Sequence, residues 1–141
     1  MYEKALKLAR KAHDGQEDKG GQPYIYHLIT VSDGVEGEIE KVVALLHDIV
    51  EDTDYTLEKL KIQGFSDEVV SAIDCLTKRK NEIYEDYLRR VSSNVHSTRV
   101  KIADLKHNMD TERLEKITEK DLKRIEKYKF ATDYLSCLIE E

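Results

Sequence analysis

Four residues able to bind a cation sit inside apolar runs. His27 lies in YIYHLITV, His47 and Asp48 end VVALLHD, and Asp104 lies in VKIADL. A carboxylate within a buried stretch requires a partner or a cation. Two imidazoles with two carboxylates form a donor set that suits Mn²⁺, Fe²⁺ or Zn²⁺. Taken singly, His27 reads as an ordinary core imidazole. The coincidence of all four in apolar surroundings is the stronger signal. Just beyond the second ligand pair come Glu51, Asp52 and Asp54. On a continuous helix, His47 would lie over Glu51 and Asp48 over Asp52. Carboxylates at a helix C-terminus oppose the macrodipole by a few tenths of a kcal/mol up to ~1 kcal/mol each. The stretch therefore predicts an interior helix whose charged end faces a cation. Asp54 reads as a surface residue.

The elements that must carry these residues are helical. Apolar residues recur at helical spacing, β-branched residues do not alternate, and Pro23 is the one proline. The pattern predicts a helix from Tyr2 towards Gly15, a loop GQEDKGGQP, a short helix from Tyr24 to about Ser32, and a deeply buried helix from Glu38 to about Val50. Thr56–Gln63 follows, stopped by Gly64, then a helix from a Ser66 cap to about Leu76. Asn81 is a candidate cap for a helix with Tyr84, Tyr87, Leu88 and Val91 inside. Ser97 to about Met109 is next, and Thr118 with Asp121 resembles a capping box that opens a last helix running to the C-terminus. The fold class is all-α, a compact bundle of about seven to eight helices.

At 141 residues the chain is the length of one domain, 1–141. Forty per cent of its residues are hydrophobic and 37% charged, so one ordinary core is feasible. No apolar run approaches the ~20 residues needed to span a bilayer, and the N-terminus lacks a signal-peptide core. The cytoplasm is the expected compartment. A formal net charge of −6 argues against a nucleic-acid polymer or an anionic membrane as partner. A small phosphorylated ligand in a local basic pocket remains compatible. Cys75 and Cys137 belong to no metal-type cluster and read as buried free thiols.

The order H…HD…D resembles the HD-domain phosphohydrolases. The likeness is closer to their ppGpp-hydrolase branch, the hydrolase domain of the RelA/SpoT stringent-response enzymes and their small stand-alone relatives. AHDGQEDKGGQPYIYH, ALLHDIVEDT and VKIADLKHNMDT carry it. The resemblance implies that His27, His47, Asp48 and Asp104 bind a metal, with Mn²⁺ the usual ion. It implies that Glu51 and Asp52 orient and deprotonate the attacking water. Lys19, Asn108 and Thr111 match residues that line the nucleotide pocket. The implied reaction removes the 3′-pyrophosphate of guanosine 3′,5′-bis(diphosphate), ppGpp. Lys101 is a second cation that could meet pyrophosphate charge. His107 reads as packing or support for a ligand, His13 as the end of the first helix, and His96 as surface.

Two positions depart from that branch. Asp18 stands where its hydrolases carry an arginine that holds the base, and Asp110 stands in HNMDT where an arginine is expected. A carboxylate cannot stack on or neutralise a nucleotide as a guanidinium does. Two other readings therefore accompany the ppGpp hydrolase: a nucleoside 5′-monophosphatase or other phosphohydrolase of the same superfamily, and a non-catalytic metal- and nucleotide-binding sensor.

Overall fold

Val42, Val43, Ala44, Leu45 and Leu46 are all buried, so one helix is apolar on every side. It can exist only if other helices surround it. The computed structural model describes residues 1–114 and 116–139. This central rod is α3 (Glu38–Leu46), packed by α1 (Tyr2–Ala12), α2 (Ile25–Asp33), α6 (Asp67–Leu76) and α8 (Val95–Asn108). A one-turn α4 (Ile49–Asp52) continues it. The short α5 (Leu57–Ile62), α7 (Tyr84–Ser92), a 3₁₀ turn (Thr111–Arg113) and α9 (Glu119–Ile139) complete the order. Counting α3 and α4 as one broken rod gives eight helices among the described residues, as the spacing predicts. No β-strand occurs among them; Glu17 and Pro23 form an isolated antiparallel bridge.

Most caps follow from residue type. Thr56 accepts the Lys59 amide, Ser66 the Val69 amide, and Thr118 and Asp121 bond reciprocally. His13 closes α1, as expected. Other expectations need correction. Asn81 does not cap α7: it has φ 63, a left-handed conformation that Asn tolerates, and serves the preceding turn, while Ile83 takes the cap position. The helix expected from Ser97 begins at Val95, capped by the Asn94 side chain on the Ser97 amide. Cys75 is half-buried and Cys137 exposed; α9 has apolar residues on several faces, so spacing alone does not mark its inner one. His96 is partly covered, 3.3 Å from the buried Glu40 carboxylate, which also accepts from Arg99 at 3.0 Å. Glu140 and Glu141, included in the helix expected to reach the C-terminus, lie outside the described residues.

The longest helix expected in the core is broken. Instead of running from Glu38 to Val50, it stops at Leu46; His47 and Asp48 form a turn, with Asp48 at φ −103, ψ 1. The cause is local. His47 Nδ1 donates to the Ala44 carbonyl at 2.6 Å, the acceptor that a continuing helix would offer to the Asp48 amide. Glu51 and Asp52 therefore stand in the first turn of a new helix. The expected clash with the dipole of the long helix does not arise.

The loop from α6 to α7 is stapled by Arg90. Its guanidinium donates to Glu82 at 2.8 and 2.7 Å and to the Thr77 and Asp74 carbonyls at 2.8 and 3.1 Å. The hydrogen bonds from Arg90 lower the Glu82 carboxyl to about 2. A carboxyl depressed on folding contributes stability in full above its ordinary value of 4.5, and that contribution is lost as pH falls towards 2. The pair is near solvent and screened, so Glu82→Gln should cost about 1 kcal/mol or less at pH 7. The difference from the parent should narrow below pH ~4 and close near pH ~2, as read from urea midpoints. A gap that persists at that pH would mean the pair is not its source.

Candidate metal centre

Three elements deliver the four sequence-predicted ligands. α2 supplies His27, the break after α3 supplies His47 and Asp48, and α8 supplies Asp104. His27, His47 and Asp104 are buried and offer ligand atoms all within 4.8 Å of one another. Asp104 Oδ1 lies 2.9 Å from His27 Nε2 and 3.3 Å from His47 Nε2, and Asp48 Oδ2 lies 3.1 Å from His47 Nε2. Ligands about 2.1 Å from one ion stand roughly 3.0–3.4 Å apart in octahedral or tetrahedral geometry. These residues fit a divalent cation: the donors are already spaced as neighbours around one ion, and both imidazoles aim Nε2 at the same carboxylate oxygen.

The electrostatics match. Burial alone would lower the His47 pKa, but the Asp48 and Asp104 carboxylates override it and hold the imidazole well above its ordinary value. Burial would raise Asp104; the Lys101 ammonium and the imidazoles of His47 and His27 hold it well below the usual carboxylate range. Asp48, also raised by burial, is brought down to about 2 by His47 with help from the Tyr24 hydroxyl. The cluster therefore holds positive charge where a cation would sit.

Supporting contacts fix the donors. His47 Nδ1 is committed to the Ala44 carbonyl, so its proton stays there and Nε2 faces the cluster. His27 Nδ1 is 2.7 Å from His107 Nδ1. The two rings are nearly parallel with centroids 4.9 Å apart, which is the separation expected for rings lying edge to edge around that contact. One imidazole donates in plane to the other, so His107 supports His27, as the sequence suggests. Asp104 Oδ2 takes Lys101 at 3.0 Å, and Oδ1 also takes Asn108 at 3.2 Å. Lys101 and Asn108 are thus engaged with Asp104. Tyr24 is a site residue that the sequence reading misses. Its ring lies between His13 and His27, and its hydroxyl donates to Asp48. Burial, then the Asp48 charge, raises its pKa far above the ordinary phenol range, so it remains a donor.

The acidic pair lies on α4. Burial raises both carboxyls, with Asp48 adding to the shift; for Glu51 the Lys78 amide opposes it, donating at 2.8 Å. Asp52 lines a cleft of about 530 Å³ that also carries Lys11, Gln16 and Lys59. A second cleft of about 340 Å³ is lined by His27, His107, Gln22, Asp18 and Glu112. Lys19 is exposed and lines a different opening, with Lys116 and Leu114. Thr111 starts the 3₁₀ turn beyond α8. Asp18 and Asp110 have local tasks: Asp18 Oδ1 accepts the Gly20 and Gln22 amides at 2.8 and 3.0 Å, and Asp110 accepts the Glu112 amide at 3.0 Å.

An HD-domain family model matches residues 5–124. The chain belongs to the HD-domain family. It is 35% identical over 119 residues to the guanosine-3′,5′-bis(diphosphate) 3′-pyrophosphohydrolase of Haemophilus influenzae, covering 74% of this chain and 17% of that protein. It is 32% identical over 144 residues to the GTP pyrophosphokinase of Myxococcus xanthus, covering 89% and 18%. The HD chain thus spans less than a fifth of the length of these curated relatives. A solved structure described as a metazoan ortholog of SpoT that hydrolyzes ppGpp aligns with a TM-score of 0.75 at 24% identity, over 99% of this chain and 85% of that one. That likeness establishes the helical HD fold. No helix among the described residues is long and apolar enough to cross a membrane.

Two outcomes follow for the cluster. A cation must displace the proton that the carboxylates hold on His47, so affinity should rise with pH through neutrality, with about one proton released per ion. Calorimetry of a divalent ion in buffers of different protonation heat measures this; no proton release would mean that the ion does not replace the His47 proton. Asp48→Ala should destabilise the metal-free protein by about 1–3 kcal/mol, because the Tyr24 hydroxyl and charged His47 lose their partner. A metal-free mutant as stable as its parent in urea would show that Asp48 is strained, not satisfied.

Proposed function

We propose that this chain is a metal-dependent phosphohydrolase of nucleotides, with ppGpp as first substrate and release of its 3′-pyrophosphate as the reaction. The observation that carries the reading is the acidic pair Glu51–Asp52 one turn past a His₂Asp₂ cluster in which His27, His47 and Asp104 are buried. Its relatives' names support the choice of substrate. His27, His47, Asp48 and Asp104 would hold the ion, with Mn²⁺ the expected metal. When bound, such an ion polarises a phosphoryl oxygen and makes water more acidic. Glu51, raised by burial, accepts the proton of the attacking water, and Asp52 orients that water. Lys19 and Thr111 contact the substrate from loops outside the core, and Asn108 acts at the same end of α8. The protein works in the cytoplasm.

The substrate side supports a second reading as well. Asp18 and Asp110 are both spent on backbone amides, so neither position offers a guanidinium to a guanine base. A nucleoside 5′-monophosphatase would need less base recognition. The non-catalytic sensor is disfavoured, since it has no use for a carboxylate held beside the ligands.

With Mn²⁺ bound, ppGpp should yield GDP and pyrophosphate in equal amounts. Glu51→Gln should lower kcat by about 10²–10⁴ and leave Mn²⁺ affinity unchanged. Orthophosphate from 5′-mononucleotides, with ppGpp untouched, would decide for the second reading. No turnover of any of these by the metal-loaded protein would remove both.

A further inference from the structure

Glu51 is aimed by a single peptide group. The Lys78 amide donates to its Oε1 at 2.8 Å, and its carboxylate has no other hydrogen-bond partner among the described residues. The carbonyl of that same peptide, Thr77 O, accepts from Arg90 Nη2 at 2.8 Å and from Arg79 Nη1 at 2.9 Å. A peptide is planar and resists twisting, so fixing its carbonyl fixes where its N–H points. Two guanidinium donors on the oxygen also polarise the amide and strengthen it as a donor.

Arg90 is well placed to hold this plane. It starts on α7, grips Glu82 through two nitrogens, and binds the Asp74 carbonyl near the end of α6. Its guanidinium lies 5.8 Å from the centre of the Tyr87 ring. Glu82 in turn accepts the Arg79 amide at 3.0 Å, securing the next residue of the loop. The peptide is thus flanked by fixed groups, whereas Glu51 stands on a four-residue helix at the surface.

We infer that Arg90 is a positioning residue that aims the Glu51 carboxylate through the Thr77–Lys78 peptide; the inference rests on the reading of Glu51 as the water-activating base. Arg90 touches neither the ligand cluster nor a substrate cleft. Its effect reaches Glu51 as orientation and as one hydrogen bond to the charged carboxylate. Loosening the peptide leaves the partly desolvated Glu51 carboxyl facing the Asp48 and Asp52 charges, with Lys101 the opposing cation. The carboxyl then titrates at higher pH.

The test is Arg90→Lys, which keeps the charge but not the fork of donors, measured beside Glu51→Gln and the double variant. With Mn²⁺ and ppGpp, Arg90→Lys should lower kcat roughly tenfold, in the range that misplacing a catalytic group costs. KM and calorimetric Mn²⁺ affinity should hold, and the acid limb of the pH profile should move up. In the Glu51→Gln background the same change should have no further effect. A carbon-detected titration of the Glu51 carboxyl in metal-free protein should show the upward shift without any turnover. That readout separates this inference from the proposed activity: absence of hydrolysis ends the latter, and an unmoved Glu51 titration ends the former. An equal loss of kcat with and without Glu51 would also overturn it, since Arg90 would then act on the fold at large. If Arg90→Lys does not fold, the exposed Arg79→Ala removes one of the two carbonyl donors and should shift the Glu51 titration in the same direction; no shift there overturns the inference.

Discussion

Side chains from α2, the end of α3 and α8 all converge on the Asp104 carboxylate. It is buried at 3% exposure on α8, where an unpaired charge could not remain. Four side chains answer it: His27 from α2, His47 from the end of α3, and Lys101 and Asn108 from its own helix. Those bonds join three helices at one point. Removing the carboxylate would leave two buried imidazoles and an ammonium facing one another. The same convergence that stabilises the helices in contact gathers the donors that a cation requires. Packing and site are one arrangement seen from two sides.

The break after Leu46 follows the same logic. A continuous helix would present His47 and Asp48 at helical spacing and set Glu51 and Asp52 against the negative end of a long dipole. By taking the Ala44 carbonyl, the His47 ring interrupts the helix and fixes its own tautomer in one step. The chain restarts as a separate one-turn helix that carries the acidic pair, so the pair no longer faces the end of a long dipole. The charge that looks misplaced in the sequence is placed by a bond from side chain to backbone, three residues away.

That bond marks the boundary of what the sequence makes legible. Helical spacing and cap residues reveal the all-α class, and apolar surroundings reveal His27, His47, Asp48 and Asp104, because burial leaves a periodic trace. The break leaves none: apolar residues continue on both sides of it, Leu45 and Leu46 before and Ile49 and Val50 after. Tyr24 is equally silent, since a tyrosine in an apolar run reads as core until its hydroxyl is seen on Asp48. Cys137 shows the opposite failure, an apolar-looking position on a helix that also exposes Leu122, Phe130 and Leu138 among its charged residues. Periodicity reports which face is inward only when the other face is polar.

The two unexpected acids show how such a site could change its substrate without losing its chemistry. The ligand-bearing residues lie on or at the ends of core helices, where substitution disturbs packing. Asp18 and Asp110 lie in loops, and each caps nearby amides. An arginine at either place would reach outward; an aspartate folds back and secures its own loop. Here both side chains serve local turns rather than the ligand cluster. Lys11 and Lys59 balance Asp52 and Asp54 in one cleft, whereas Asp18 and Glu112 line the other beside His27. The second cleft carries carboxylates without a lysine, so an anionic group meets more repulsion there than in the first.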